Sequence, residues 1–580
     1  MKKTCKFIVV MGGVISGVGK GIISSSIGKI LKDYGYKVTI VKIDPYLNFD
    51  AGTLRPTEHG EVWVTDDGGE IDQDLGNYER FLDQDISKTN NITTGQVYKT
   101  VIDNERAGKY LGQTVQIIPH IPNEVKRRLE LVKEDNDFVI VEIGGTVGDY
   151  ENTPFLFAMK SLEREIGKHN IANILVTYLF APKHIEEIKT KPTQQAVKML
   201  SETAGMTPDF IICRASKEID KEHKRKIEVY ANMNADRIFS SPDVETIYQV
   251  PQVLEKEKFG LKLLNHFGLK PKDTKNKSQW TKAVTQILSP KNSVKIAIVG
   301  KYLETGNFIL KDSYISIKEA LVHAGANLNT KINIEWVSAK NIEESQNVSF
   351  LKSFDGILVP GGFGNNGVEG KIKAIEFARK HNVPYLGLCY GMQLALIEIA
   401  RNVCNLKQAN TSEISPNCAH KVIDFMPIQQ ELIKKHQYGG TMRLGAYAAI
   451  LNPNTKIFKL YQSLSRIDKD KDRIKDITKN KEATYRIGKI SKNDCVVLER
   501  HRHRYEVNPK YIETFEKKGV VFSSYHHRFD DTNLVESIEL KNHPFFIGTQ
   551  AHPEFKSRLN DPSPVFVGFV EAALKNKKKK

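Results

Sequence analysis

The sequence predicts an α/β protein made of two doubly wound parallel-sheet domains. Short, continuous apolar runs alternate with amphipathic helical patterns through residues 1–265, and the same alternation restarts at 294. Strands apolar on both faces belong to parallel sheets covered by helices on both sides. Between the two series, "GLKPKDTKNKSQWTKAVTQILSPKNS" at 268–293 is polar, Lys-rich and bounded by prolines, and reads as a linker around one short helix. A chain of 580 residues also exceeds a single core, since domains average about 150 residues. The predicted division is a first domain over 1–268, a linker over 269–293, a second domain over 294–574 and a lysine-rich tail, 575–580, expected to be disordered.

Along the first domain, "KFIVVMGG" is a buried strand that breaks at once into glycines with no cleavage-type segment, so the N-terminus is read as a first strand and not as a leader. The helical "GIISSSIGKILKDYG" and the strand "KVTIVKID" follow, then the strands "DFVIVEIGG", "ANILVTYLF" and "DFIICRAS". In the second domain the strands are "VKIAIVGKY", "INIEWVSA", "FDGILVPGG" and "VPYLGLCYG". Residues 466–482, "RIDKDKDRIKDITKNKE", are dense in mixed charge and poor in apolar side chains, and are expected to form a solvated, mobile loop.

Hydrophobic residues at 40% and charged residues at 27% fit a soluble globular protein. No apolar run approaches the ~18 residues a membrane helix needs. The six cysteines, at 5, 213, 389, 404, 418 and 495, show neither CxxC pairs nor zinc-like spacing, which argues against a disulfide scaffold or zinc site and for a cytoplasmic setting. The net charge of +16 comes without any nucleic-acid-binding signature. It points to anionic small molecules, nucleotides especially, and to no specific nucleic acid.

In "PYLGLCYGMQLAL" at 384–396, a strand ends in a cysteine pinched between Gly387 and Gly391, and a helical pattern follows at once. Cys389 therefore sits on a sharp strand-to-helix turn, with a helix N-terminus to favour its thiolate. "FFIGTQAHPEF" at 545–555 offers a base: His552 just past a strand end, with Glu554 two residues on to fix its tautomer. "ILVPGGFGNNGVEG" at 357–370 runs a strand into glycines whose backbone N–H groups can form an oxyanion hole. Together "PGGFG", "GLCYGMQ" and "HPEF" resemble the signature set of class I glutamine amidotransferases. The resemblance makes Cys389 the nucleophile, His552 the base and Glu554 its orienter, places Gly362 at the oxyanion and glutamine loop, and implies hydrolysis of glutamine to release ammonia.

"FIVVMGGVISGVGKGIISSSIGK" follows a strand and opens a helix, the context of a phosphate loop. It departs from GxxxxGK[ST]: Val14 stands where the first glycine belongs, and Gly21 where a metal-holding Ser or Thr belongs. The glycines and Lys20 still suit phosphates, and the metal is expected elsewhere. Asp72 and Asp74 in "EIDQDLGNYERF" and Glu142 in a buried strand supply the oxygen ligands that magnesium takes. Lys189 and Lys191 near a turn, with Gln194 opening a helix, suit a second triphosphate.

"GGVISGVGKG", "KIDPYLN", "HGEVWV", "DQDLGNYERF", "VEIGGTVGD" and "KTKPTQ" resemble the synthetase domain of the CTP synthase family, a P-loop-type amidoligase. "GGTMRLG" at 439–445 and "ERHRHRYEVN" at 499–508 resemble its amidotransferase half. The resemblance implies that ATP phosphorylates the 4-oxygen of UTP and that ammonia, passed through an internal tunnel, displaces phosphate to give CTP. It implies Mg²⁺, ATP as co-substrate, GTP as allosteric activator, CTP as feedback inhibitor and a homotetramer, with filaments known in the family. By it, Ser16, Gly17, Gly19, Lys20 and Gly21 contact nucleotide phosphates, Lys20 with a catalytic role, and Asp74 and Glu142 hold Mg²⁺. Asp149, Tyr150, Glu151, Lys189, Lys191, Gln194 and Lys226 line the UTP/CTP pocket, and Val244 lies at the adenine. Gly362, Tyr390, Gly391, Met392, Gln393, Glu413 and Arg504 hold glutamine, Glu413 on its ammonium and Arg504 on its carboxylate.

The chain departs from the family pattern at Tyr150, usually isoleucine, at Tyr390, usually leucine, in "NTSEI" at 410–414, at Pro242 and in the 466–482 insert. Two alternatives stand beside the main reading: an ammonia-dependent synthetase with impaired glutaminase, and a filament-forming structural homologue.

Overall fold

A computed structural model describes residues 5–181, 187–273, 277–301, 304–305, 308–309, 311–362, 364–425, 442–479 and 481–580. It divides into two compact units, one of Met1–Thr53 with Glu70–Val284, the other of Leu54–Gly69 with Thr285–Lys580.

The first unit is built on seven parallel strands: β1 (Lys6–Gly12), β2 (Val38–Asp44), β3 (Asn91–Thr93), β4 (Phe138–Ile143), β5 (Ile171–Tyr178), β6 (Phe210–Ala215) and β7 (Ile238–Pro242), in the order β3-β2-β4-β1-β5-β6-β7. Residues on both faces of β2 and β4 are buried, which is why apolar residues fall on both faces of these runs. Three helices bear on the site: α1 (Lys20–Asp33), α2 (Asp74–Leu82) and α3 (Lys191–Ala204). With α4 (Lys221–Ala231) they flank the carboxyl ends of the strands, where an open parallel sheet places its ligands.

The predicted linker contains the expected helix, α5 (Lys277–Leu288), but its first turns pack into the first unit. Trp280 is buried, lies 5.3 Å from Phe81, and donates its indole N–H to the Tyr248 carbonyl at 3.0 Å. One large aromatic residue outweighs the polar composition around it.

The main sheet of the second unit is built from β8 (Asn292–Gly300), β9 (Thr330–Ser338), β10 (Gly356–Val359), β11 (Tyr385–Leu388), β12 (Arg443–Leu451), β13 (Val496–His503), β14 (Val520–His527), β15 (Asn533–Leu540) and β16 (Phe546–Thr549). They form one sheet in the order β9-β8-β10-β11-β16-β15-β14-β12-β13. From β9 to β16 it is parallel; from β16 onward it is antiparallel. The doubly wound half is thus extended by an antiparallel half that the sequence pattern does not separate. The helices α6 (Val368–Lys380), α7 (Tyr390–Asn402), α8 (Arg466–Thr478) and α9 (Pro564–Lys577) pack against this sheet.

Two segments differ from what their composition predicts. The charged 466–482 segment is no loop over most of its length: α8 buries Arg466, Ile467, Asp470 and Ile474. Asp470 accepts the Leu498 N–H at 2.9 Å, and Ile474 joins Ala446, Ala448 and Leu498 in a small core. Ile467, Ile474 and Ile477 recur on one helical face while the charges fill the other. The lysine tail is also placed. α9 runs through Lys577, and Lys580 donates to the carbonyls of Lys352 and Phe354 at 2.9 and 2.6 Å. Among the described residues no helix is long and apolar enough to cross a membrane.

Candidate functional site

In the first unit, the loop after β1 turns through three left-handed residues, Val14 (φ +81°), Gly17 (φ +73°) and Gly19 (φ +88°), before α1 begins at Lys20. A positive φ at a β-branched residue is a strained position, so Val14 keeps the turn that the usual glycine makes freely. The Lys20 ammonium donates to the Gly145 carbonyl at 2.6 Å, tying the loop to the segment after β4. Burial lowers its pKa against the pull of Glu142. Ser16 is exposed on the loop.

Gly21 has a steric explanation. A Cβ there would lie 2.8 Å from the Asp74 carboxyl carbon, so the acidic side chain of α2 occupies the space of the missing Ser or Thr. Lys42, at the end of β2, bonds to both Asp74 and Glu142, the latter at 3.1 Å, with Asp44 at 4.0 Å. Tyr78 donates to the other Glu142 oxygen at 2.5 Å, and the Asp74 N–H donates to Asp72 at 2.8 Å. Burial works against the Lys42 ammonium, yet Asp74 and Glu142 outweigh it and hold the group well above the usual lysine range. Burial pushes the Asp72 carboxyl up to about 8, against the pull of Lys42.

Four carboxylates (Asp44, Asp72, Asp74 and Glu142) thus gather around two ammoniums. These hard oxygen donors fit a divalent cation. Among the described residues no group of three or more His, Cys, Asp or Glu is placed to hold a metal alone; a Mg²⁺ held by two carboxylates takes the rest of its shell from water and phosphate. Lys42 was not foreseen, although it stands in "KIDPYLN". Arg214 was also missed. At the end of β6 it lies against Gly19, donates to the Val18 carbonyl at 3.4 Å and pairs with Asp243 at 2.8 Å, beside Val244.

The second set of nucleotide residues falls into two groups. Lys191, at the start of α3, lies 5.6 Å over the Tyr230 ring of α4. Lys189 pairs with Glu187 at 2.5 Å, and Lys226 of α4 also acts on that carboxylate. Gln194 bonds Thr190 at 3.4 Å. Asp149 caps its own turn, accepting the Thr146 N–H and hydroxyl at 2.6 and 2.9 Å. Tyr150 is 82% exposed, beside Glu151. Met199 of α3 packs against Gly148, and no described contact joins Asp149, Tyr150 or Glu151 to the lysines.

In the second unit, Cys389 caps α7 with φ +50° and ψ −102°, a strained conformation for a side chain other than glycine. The strain is held in place by packing and by the Cys389 N–H bond to the Thr549 carbonyl at 2.6 Å. Gly391 is required because any Cβ there would collide with the Val359 carbonyl. His552 bonds Glu554 through Nδ1 at 2.7 Å and also hydrogen-bonds the Cys389 thiol. Burial disfavours the imidazolium, but Glu554 and then Cys389 more than offset this and push its pKa up to about 10. Gly361 roofs the pair: a Cβ on it would lie 3.0 Å from His552 Cε1 and 3.7 Å from Cys389 Cβ. Gly362 follows with φ +155°; Phe363 of "PGGFG" and residues 439–441 of "GGTMRLG" lie outside the described residues.

Glu413 accepts the Gly364 N–H at 3.0 Å. With Arg504 it surrounds Tyr505, whose pKa is pushed up to about 12 by burial and by Glu413, against Arg504. Tyr390 reaches the Gly364 carbonyl at 3.4 Å. Gln393 donates to the Tyr505 carbonyl at 2.9 Å and to Gln550 at 3.1 Å, and Gln550 in turn donates to the Cys389 sulfur at 3.7 Å. The Met392 side chain is buried in the core against Gly548, because a helix starting at Tyr390 turns that position toward the sheet.

Three residues near the thiol went unforeseen. Gln550 stands in "FFIGTQAHPEF" with no role that its position there suggests. Lys301 donates to the Gly364 carbonyl at 2.7 Å and Lys371 to the Pro360 carbonyl at 3.1 Å, one at each end of the glycine loop. Burial lowers Lys301 to about 8, with Glu413 opposing.

This fold and these two sites define a phosphate-loop amidoligase joined to a class I glutamine amidotransferase. Residues 6–269 match the family model of the CTP synthase N-terminus, and 309–572 match that of class-I glutamine amidotransferase. The chain is 47% identical over 572 residues to the CTP synthase of Thermococcus kodakarensis and 46% identical over 581 residues to that of Methanocaldococcus jannaschii, with 99% of each chain covered. The solved glutaminase domain of Trypanosoma brucei CTPS with bound acivicin is 34% identical, covering 49% of this chain and 94% of that one, with a TM-score of 0.40. The chain belongs to the CTP synthase family.

Proposed function

We propose that the chain converts UTP to CTP at the expense of ATP, with glutamine as its nitrogen source. The observation that carries this is the strained Cys389 elbow with His552 and Glu554 in line behind it. An impaired glutaminase or a purely structural homologue is not favoured, since that triad is complete and the relatives match over the whole length.

The Cys389 thiolate attacks the carboxamide carbon of glutamine, and the electron pair of the C=O bond moves to oxygen beside the backbone N–H of Gly362. His552 gives its proton to the departing nitrogen, the C–N bond breaks, and ammonia leaves behind a thioester. His552 then takes a proton from water, which displaces glutamate and restores the thiol. Glu413 and Arg504 bind the amino and carboxylate groups of glutamine.

At the phosphate loop, the 4-oxygen of UTP takes the γ-phosphoryl group of ATP and ADP leaves. Ammonia then adds at C4, loses a proton, and inorganic phosphate departs with the oxygen. Lys20, held at the loop mouth, faces the transferring phosphoryl charge, while Lys189, Lys191, Gln194 and Lys226 bind the second triphosphate, with Asp149, Tyr150 and Glu151 at the pyrimidine end. Asp74 and Glu142 would hold a Mg²⁺, whose chemistry is to neutralise phosphate oxygens. The same reading takes GTP as activator, CTP as feedback inhibitor, a homotetramer as the working assembly and the cytoplasm as its place; family resemblance supports these.

The test is to incubate the purified chain with UTP, ATP, Mg²⁺ and GTP and measure CTP with glutamine or with ammonium chloride. CTP is expected from both. CTP from neither, in a folded protein, would overturn the reading.

A further inference from the structure

Residues 54–69 lie in the N-terminal half of the chain, just before the Asp72 and Asp74 carboxylates, yet they belong to the second unit. The attachment is specific. Trp63 is buried, and its ring meets that of Phe555 edge-on at 5.0 Å and 62°. Phe555 is stacked on the His552 imidazole at 5.3 Å and 23°. The Arg500 guanidinium lies 5.4 Å over the indole system and donates to Asp66 Oδ1 at 2.5 Å. Lys556 donates to Asp66 Oδ2 at 2.7 Å. Arg500 and Lys556 both adjoin the base: the Arg500 carbonyl, on β13, accepts the His552 N–H at 2.8 Å, and Lys556 ends the single turn that begins after His552.

We propose that Trp63 and Asp66 are positioning residues for His552, so that the N-terminal half of the chain supplies part of the support for glutamine hydrolysis. The inference rests on the reading of Cys389 and His552 as the glutaminase pair. Glu554 fixes the imidazole at Nδ1 and Cys389 bonds it from the other side, but two in-plane hydrogen bonds leave the ring free to turn about the line that joins them. Phe555 closes that freedom by stacking on the ring face, and Phe555 is itself held by the Trp63 edge. Asp66 fixes the backbone on both sides of His552 through two buried cations. Two buried positive charges on one carboxylate make this anchor sensitive to the loss of that carboxylate. A misplacement of about 1 Å in a base can cost a factor near 10² in rate.

The experiment measures glutamate release by the full chain from pH 6 to 11 for wild type, Trp63→Ala, Trp63→Phe, Asp66→Asn and Cys389→Ala, with thermal unfolding of each. The titratable groups facing His552 are Glu554, Cys389 and, on β13, His501 and His503, both of which burial holds well below the usual histidine range. The alkaline limb of kcat assigned to His552 is the one lying above that of Lys301, which burial lowers to about 8. Trp63→Ala is expected to lower kcat at least about tenfold, to change KM less than about threefold, and to move the alkaline limb down by about one pH unit. Trp63→Phe keeps a ring edge against Phe555 and restores most of the rate. Asp66→Asn falls between. Should Trp63→Ala fail to fold, Trp63→Leu carries the same expectation and Asp66→Asn the intermediate one. Wild-type kcat and an unmoved alkaline limb in these variants would overturn the proposal, as would a loss of rate without movement of the limb. Glutamate release that is absent in wild type, or unchanged in Cys389→Ala, would instead remove the glutaminase reading beneath it.

Discussion

The two sites of this chain are prepared in opposite ways. In the first unit the preparation is electrostatic: Lys20 and Lys42 stand among Asp44, Asp72, Asp74 and Glu142, most of them buried, around a loop whose backbone is open. In the second it is conformational: a cysteine is held at φ +50° between a glycine roof and a hydrogen-bonded imidazole. A site that waits for a polyphosphate and its counter-ion gathers charge in advance. A site that must aim one nucleophile at one carbon instead stores backbone strain.

Lys20→Ala sharpens the contrast most. It should reduce CTP formation from either nitrogen source by about 10²–10³-fold, as expected on removing a charge that faces a developing phosphoryl charge, while glutamate release in the same preparation continues. Loss of both activities together would break the division.

Glu554→Gln probes the conformational site. It should lower glutamine-dependent CTP formation by about 10²–10⁴-fold and leave ammonia-dependent formation in place. The sign of the pH effect follows from His552, whose value in the folded chain, about 10, lies above its ordinary 6.5. The protonated ring therefore contributes stability in full below about pH 6.5 and loses it as the pH rises through about 10. Removing the Glu554 charge should narrow that window from its alkaline side, which unfolding midpoints measured against pH would show.

Gly21→Ser restores the familiar phosphate-loop residue and should nevertheless do harm. Its Cβ meets the Asp74 carboxyl, at a cost of about 1–3 kcal/mol of stability by denaturant titration, and CTP formation should fall with both nitrogen sources. A gain would mean that Asp74 yields its place freely.

The smallest effect is expected from Tyr390→Leu. It removes the 3.4 Å bond to Gly364 and a ring 4.9 Å from the Lys301 ammonium. Together these contribute about 1 kcal/mol, read as a change of a few fold in glutamine KM.

Much of this was legible in the sequence where the signal was local. A thiol between glycines at a strand end, a histidine and glutamate two residues apart, and a lysine opening a helix after a glycine-rich turn each carry their geometry in their spacing. What was not legible came from partners far apart in the chain. Lys42, Gln550, Arg214, Lys301 and Lys371 gain meaning only when strands and loops from elsewhere arrive beside them. Gly21 could be seen as a departure, but its cause, Asp74, sits on another helix. Residues 54–69 read as part of the first domain because sequence order cannot show that Trp63 and Asp66 pack against Phe555, Arg500 and Lys556. The 466–482 segment misled through its composition. Its isoleucines keep a helical period, and a few buried apolar residues decide the structure over many exposed charges.

The most direct test of the division of labour is CTP formation by Cys389→Ala measured with glutamine and with ammonium chloride in parallel. The account predicts no CTP from glutamine and wild-type rates from ammonia. Equal loss from both sources, or undiminished synthesis from glutamine, would contradict it.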